Sequence, residues 1–251
     1  MENLKPLNLS QFGAIKAKYS PFLKEVKKRL IFTLIFFVIT TFVGFIFYEN
    51  IIKFLISFLS LEGINIVFTS PFQFINLAIS CGVTTGVVLT LPLFVNQLLS
   101  FLKPALKRKE FRMVIRLLPF SFILFLIGFA FGALIMKWQI EIFLAKSISL
   151  GIGNILDISR LLSTVILTSA LLGVGFQFPI VLLILLRLGF INRQEVNKKR
   201  RWIYLGSFLF AVLLPADSIL ADVFLSLPLI ALFEFTLLLN RILERKRGLE
   251  N

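Results

Sequence analysis

The 251-residue chain has no histidine and a single cysteine. Without histidine, Ser-His-Asp and Cys-His catalysis, zinc-protease motifs and haem ligation by His are all excluded. The lone Cys81 rules out a disulfide framework, and in its apolar stretch it reads as a buried small residue. Neither GxxxxGK(S/T) nor GxGxxG occurs, so the common phosphate cradles are missing too. Acidic residues are scarce, 13 against 27 Lys and Arg. An intramembrane aspartyl protease needs two facing acids in the membrane, whereas Asp217 and Asp222 share one short turn. The sequence therefore reads as a non-enzyme with no cofactor and no metal site.

What the chain has in excess is apolar surface. Hydrophobic residues make up 58% of it and the mean hydropathy is +0.94, well above the roughly 45–50% apolar content of soluble domains. The apolar runs are evenly spread and no Pro/Gly/Ser-rich linker divides them, which predicts one membrane domain over residues 1–251. The formal charge of +14 does not point to nucleic acid, because the basic residues fall in short clusters between apolar runs.

A helix needs about 20 apolar residues to cross a hydrocarbon core of about 30 Å. Charge-free runs place all-α spans at residues 30–48, 75–102, 117–136 and 161–186. The next run is interrupted by Pro215-Ala216-Asp217-Ser218, a helix breaker, a carboxylate and a capping serine that together mark an external turn. This predicts two short C-terminal helices, 202–214 and 220–240, for six spans in all. At 1.5 Å per residue the first reaches only about 20 Å, which predicts local thinning of the bilayer.

Six spans put both ends on one side. Residues 1–29, the loops around 103–116 and 187–201, and the tail 241–251 hold all but four of the 27 Lys and Arg; the exceptions are Lys53, Lys137, Lys146 and Arg160. The positive-inside rule then gives a cytoplasmic N-terminal segment and a cytoplasmic tail. The first apolar run is long enough to span and no small-residue cleavage site follows it, so no cleaved signal is expected.

Two polar side chains lie deep in the predicted spans. Glu234 is the one carboxylate clearly inside a span, where a charge marks either function or a paired packing role. Gln177 sits in Gly173-Val174-Gly175-Phe176-Gln177-Phe178-Pro179. It serves either to bond carbonyls freed by Pro179 or a neighbouring helix, or to contact a ligand. Pro92, Pro119, Pro179, Pro215 and Pro228 fall in or at the ends of five spans, which predicts a curved bundle.

Several motifs come in order along residues 21–241. They are Phe22-Leu23-Lys24-Glu25-Val26-Lys27-Lys28-Arg29-Leu30, Ser70-Pro71-Phe72, Phe101-Leu102-Lys103-Pro104-Ala105-Leu106 with Glu110, the triplet Phe125, Gly128 and Phe131, Phe176-Gln177-Phe178-Pro179, Leu188-Gly189-Phe190-Ile191 with Lys199-Arg200-Arg201, Leu214-Pro215-Ala216-Asp217, and Leu227-Pro228-Leu229 with Leu232-Phe233-Glu234. In this series the chain resembles the TatC family of twin-arginine translocase subunits. It departs from the family's entry motif at Phe22, where His is usual, and at Lys27, where Arg is usual.

The resemblance implies a receptor for the Arg-Arg motif of signal peptides on folded cargo, with translocation driven by the proton-motive force. It assigns Glu25 and Glu110 as the carboxylates meeting the two guanidiniums, with Lys27, Arg29 and Phe101 in the same recognition region. Arg–carboxylate pairs can be bidentate and charge-assisted, which suits discrimination of Arg-Arg from Lys-Lys. Taken alone, Glu25 four residues before Arg29, and Glu110 among Lys107, Lys109 and Arg112, also read as ordinary solvated helix pairs.

The resemblance further implies a hetero-oligomer with TatA- and TatB-like single-span partners and contact with membrane lipids. Gln177 and Glu234 would meet a partner helix or the signal's hydrophobic region. The implied location is a cell inner (plasma) membrane, or an organellar inner or thylakoid membrane. The alternative class, a secondary transporter with a midplane substrate site, predicts ionisable residues in several spans or two similar halves, and neither is visible.

Overall fold

A computed structural model describes residues 9–61, 66–102, 108–151, 156–187, 189–216 and 218–248. Among these residues the order is α1 (Leu9–Ile46), α2 (Tyr48–Phe58), β1 (Ile66–Val67), α3 (Gln73–Leu102), α4 (Arg108–Ser149), β2 (Leu156–Asp157), α5 (Ile158–Gly175), α6 (Phe178–Arg187), α7 (Arg193–Lys198), α8 (Arg200–Val212) and α9 (Ile219–Gly248). Five segments are long and apolar enough to cross a membrane: Val26–Ile46, Gln73–Leu91, Pro119–Ser149, Ile158–Leu186 and Ile219–Ile242. The 13-residue α8 is the sixth membrane segment of this all-α polytopic fold, and its Leu205, Leu209 and Val212 are exposed as lipid-facing residues are.

Three helices outrun their apolar stretches. α1 begins at Leu9, α4 takes in Arg108 to Arg116 and continues to Ser149, and α9 runs on to Gly248. Hydropathy measures the length in hydrocarbon, whereas Lys, Arg and Glu are good helix formers and carry the helix onward into water. The expectation of two short C-terminal helices therefore holds for α8 alone, since α9 has 30 residues. The expected span at 161–186 is two helices, because Pro179 has no N–H to donate. The backbone tightens at the break, where Gln177 N–H donates to Val174 O at 2.9 Å, and restarts where Ile180 N–H donates to Gln177 O at 3.1 Å.

The core packs where small residues let rings approach. Phe125 of α4 is fully buried, and a Cβ on Gly173 of α5 would lie 2.8 Å from its ring. Conversely, a Cβ on Gly128 would lie 2.6 Å from Cγ of Phe176. Phe131 and Phe176 approach to 6.4 Å between centroids. The Phe125, Gly128 and Phe131 triplet and the glycine-rich start of the α5–α6 break are thus two halves of one interlock. Around it gather Leu162, Val165, Leu172 and Leu225, all buried.

At the predicted external end, α2 and the turn after it close over the bundle through Leu55, Leu59 and Leu61. β1 and β2 pair in parallel, Ile66 opposite Leu156 and Val67 opposite Asp157. Ser70-Pro71-Phe72 makes the turn into α3, where Gln73 N–H donates to Ser70 O at 3.1 Å.

The α8–α9 hairpin is stepped. Tyr204 of α8 is bonded to Glu234 of α9, which sets the register of the two helices. From Tyr204 to the end of α8 at Val212 is about 12 Å of helix, while from Glu234 back to Ile219 is about 22 Å. α9 therefore overreaches α8 by about 10 Å, and the chain between Val212 and Ile219 covers that step. Helix and connection together reach about 30 Å, so the shortness of α8 does not require a thinned bilayer.

Candidate functional site

At the predicted cytoplasmic end, Lys27 and Lys28 on α1 are exposed. Arg29 Nη1 donates to the Gln97 carbonyl at 3.4 Å, tying α1 to the last turns of α3. The backbone of Glu25 lies in α1, that of Phe101 in the last turn of α3 and that of Glu110 in the first turn of α4. Their side chains lie outside the described residues, as does Asp217 altogether. Pro215 lies in the non-helical connection between α8 and α9.

Gln177 is buried and bonded within the chain. Its Oε1 accepts a short hydrogen bond from Ser121 Oγ, and its Nε2 donates to Ser121 O at 3.1 Å. A longer contact of 3.5 Å reaches Gly173 O, the carbonyl that the backbone N–H of Gln177 would meet in an unbroken helix. Of the two uses open for Gln177, bonding a neighbouring helix is the one present in the structure. Its edge still reaches an apolar groove of about 530 Å³ between the α5–α6 break and α8, lined also by Val174, Phe178, Val181, Ile203 and Phe210.

Glu234 is paired across the hairpin. Tyr204 Oη donates to its Oε1 at 2.5 Å, and Arg200 Nη1 lies 3.5 Å from its Oε2. Arg200 Nη2 in turn donates to Asn197 Oδ1 at 3.2 Å. The carboxylate thus has a cation and a donor, which offset the cost of holding it at membrane depth. In the sequence Arg200 reads as a topology charge and as part of Lys199-Arg200-Arg201, with no sign of its pairing to Glu234 beyond standing four residues before Tyr204, on the same face of a helix.

A second polar centre joins loops at the predicted external end. Asp157 caps α5 by accepting from Arg160 N–H at 3.1 Å. Its Oδ2 accepts from Thr69 Oγ1 at 2.8 Å and from Gln73 Nε2 at 2.7 Å. Burial pushes its pKa up, but these hydrogen bonds outweigh it and hold the carboxyl below its ordinary value. Nearby, Gln139 of α4 donates to Ala216 O at 2.7 Å, satisfying a carbonyl of the non-helical connection between α8 and α9. Among the described residues no three His, Cys, Asp or Glu gather as a metal site would require.

Residues 21–228 match the family described as Sec-independent protein translocase protein (TatC). The chain is 28% identical over 229 residues to the Sec-independent protein translocase protein TatCy of Bacillus subtilis, covering 88% of each chain. It is 28% identical over 221 residues to the TatC of Escherichia coli K12, covering 86% of this chain and 85% of that one. A crystal structure described as the twin arginine translocase receptor TatC in DDM superposes with a TM-score of 0.78 at 25% identity, covering 87% of this chain and 98% of the other. With the broken fourth span, the stepped hairpin and the ordered motifs of the sequence, these matches make the chain a member of the TatC family of Sec-independent protein translocase proteins, a multi-pass membrane component of a protein transport system.

Proposed function

We propose that the chain is the receptor subunit of a twin-arginine translocase in a cell inner membrane, with both termini in the cytoplasm. It takes the Arg-Arg motif of signal peptides on Glu25 and Glu110 and nucleates, with single-span TatA- and TatB-like partners, a complex that the proton-motive force drives. The observation that carries this reading is the position of the two glutamates. Glu25 stands one turn before Arg29, which binds the end of α3, and Glu110 stands in the first turn of α4 just beyond that end. Both positions therefore belong to the same end of the bundle, amid the Lys and Arg clusters of the predicted cytoplasmic side.

The recognition chemistry follows from the residue types. Each carboxylate presents two acceptor oxygens matched to a planar guanidinium, whereas a lysine ammonium makes no such fork. The cations Lys27 and Lys28, close after Glu25 on α1, are exposed, while Phe101 would offer an apolar neighbour for the residues after the motif.

On the membrane side, the groove beside Gln177 takes one apolar helix of a single-span partner. Val174, Phe178 and Val181 on its wall are exposed large hydrophobics, which suit a transmembrane helix packing by van der Waals contact. The reading is tested by export of a twin-arginine cargo in cells carrying Glu25→Ala, Glu110→Gln or both. Export falls in each variant and stops in the double variant, with protein level and Sec export unchanged. Wild-type export by the double variant rejects the assignment.

A further inference from the structure

The groove beside Gln177 has walls of different character. One wall, the α5–α6 break, is built into the core by Phe176, Leu172 and the Ser121 bonds to Gln177. The other wall is α8, which is 13 residues long, packs chiefly on α9 and has lipid-exposed side chains along its outer face, Trp202 and Leu205 included. α8 meets the α5–α6 wall through Phe210, whose ring stands against Gly175, and through Ile203, which packs on the cluster holding Leu182 of α6. At the predicted external end α8 stops about 10 Å short of the end of α9, and Ala211, Leu214 and Ala216 are buried in the core there, with Gln139 donating to Ala216 O. At the other end it is held by Arg200 and Tyr204 on Glu234, with the Tyr204 ring edge-on to Phe233 at 5.9 Å.

We propose that Arg200, Tyr204 and Glu234 are positioning residues, a clamp that fixes α8 against α9 and thereby sets the opening of the groove into which a partner's transmembrane helix packs. This rests on the docking reading given above and changes the role of Glu234. Its two oxygens are already engaged within the chain, so it acts on the partner through α8 and not by contact.

The geometry explains why the clamp uses a charge. Arg200 stands at the start of α8 and Glu234 inside the apolar segment Ile219–Ile242, where a carboxylate needs a paired cation and a donor. Tyr204 lies one turn further in and contributes a donor and a ring against the buried Phe233. α8 is anchored by burial at its far end, at Ala211 and Leu214, and at the Arg200 end interhelical hydrogen bonds add to packing, as helix association in lipid uses both.

Gly206 provides the control. It lines the groove, and a Cβ there would meet nothing within 4 Å. Gly206→Leu therefore fills the groove while leaving the clamp intact.

The experiment measures the groove and its occupant separately, in full-length protein in lipid nanodiscs with Cys81→Ala. Spin labels on Val181→Cys and Leu205→Cys report the spacing of the two walls. A photo-crosslinker at Phe178 reports capture of a co-expressed TatA-like partner. Glu234→Gln and Arg200→Gln broaden the spacing and shift it by roughly 2 Å, the scale of helix shifts at interfaces, and lower crosslinking about fivefold, equivalent to about 1 kcal/mol. Tyr204→Phe does the same to a smaller degree, and the exchange Arg200→Glu with Glu234→Arg restores both. Gly206→Leu abolishes the crosslink with the spacing unchanged. A spacing in Glu234→Gln and Arg200→Gln that superposes on the wild type overturns the clamp. If wild-type protein gives no crosslink from Phe178 while the spacing still responds to Glu234→Gln, the docking reading fails and the clamp stands.

Discussion

Ser121 and Gln177, 56 residues apart in sequence, bond each other twice, hydroxyl to amide oxygen and amide nitrogen to backbone carbonyl. This pair ties α4 to the place where Pro179 interrupts the fourth span. It braces the break in the backbone ladder, and the Gln177 amide also lies 3.5 Å from Gly173 O, a carbonyl the break leaves open. Ser121→Ala leaves Gln177 Oε1 without a donor in a buried site, and should destabilise by about 1–3 kcal/mol. Ser121→Ala with Gln177→Leu removes both partners and should cost less than the sum of the single changes. Thermal unfolding in detergent of the four members of this cycle checks it, and strict additivity would show that the two side chains do not act as a pair.

The α4–α5 contact is equally specific about size. A Cβ on Gly132 would lie 2.8 Å from Cα of Ser169, a backbone atom that cannot rotate away. Gly132→Ala should push the helices apart and cost about 1–3 kcal/mol, read as a lower unfolding temperature. Gly206→Ala, which meets nothing, should be neutral or slightly stabilising by the same assay.

The external latch through Asp157 predicts a pH dependence. Its folded-state pKa lies below its ordinary value, so it contributes stability above pH about 4 that is lost as the pH falls through the folded value. Asp157→Ala removes the α5 cap and the bonds from Thr69 and Gln73, and should lower the unfolding temperature at pH 7 by a few degrees, for a loss of about 1 kcal/mol. The gap between variant and wild type should close as the pH is lowered from 5 towards 3. A gap that stays constant over that range would show that the carboxylate charge is not what the latch uses.

Gln139 tests the stepped hairpin. Its bond to Ala216 O satisfies a carbonyl of the connection that completes α8's crossing. Gln139→Leu leaves that carbonyl without its donor, at a cost of about 1–3 kcal/mol, and should raise the proteolytic sensitivity of the α8–α9 connection from the external side. Unchanged stability and cleavage would show that the connection sits in water and needs no partner.

Much of this architecture is legible in the sequence because it depends on length and polarity. Charge-free runs mark where hydrocarbon must be crossed, and the Lys and Arg clusters mark the ends. The helix limits are less legible, since Arg108 to Arg116 and Arg241 to Arg247 bound an apolar run without bounding the helix. The break at Gln177 follows from Pro179, but its partner Ser121 does not, because a serine in a span carries no sign of what lies opposite. Arg200 shows the same limit. Among basic neighbours it reads as a topology charge, and only the register of α8 against α9 brings it to Glu234. Thr69, Gln73 and Asp157 meet through a two-residue parallel pairing too short to leave a periodic signal.

Direct binding of a fluorescent signal peptide to the purified protein in nanodiscs is the measurement closest to the central claim. The peptide carrying Arg-Arg should bind saturably, and the same peptide with Lys-Lys should bind at least about tenfold more weakly, a difference of about 1.4 kcal/mol. Glu25→Gln and Glu110→Gln should each reduce the Arg-Arg affinity and shrink its margin over Lys-Lys, and the double variant should bind both peptides alike. Equal affinity for the two peptides in the wild-type protein, or an undiminished Arg-Arg preference in the double variant, would contradict recognition by the two carboxylates.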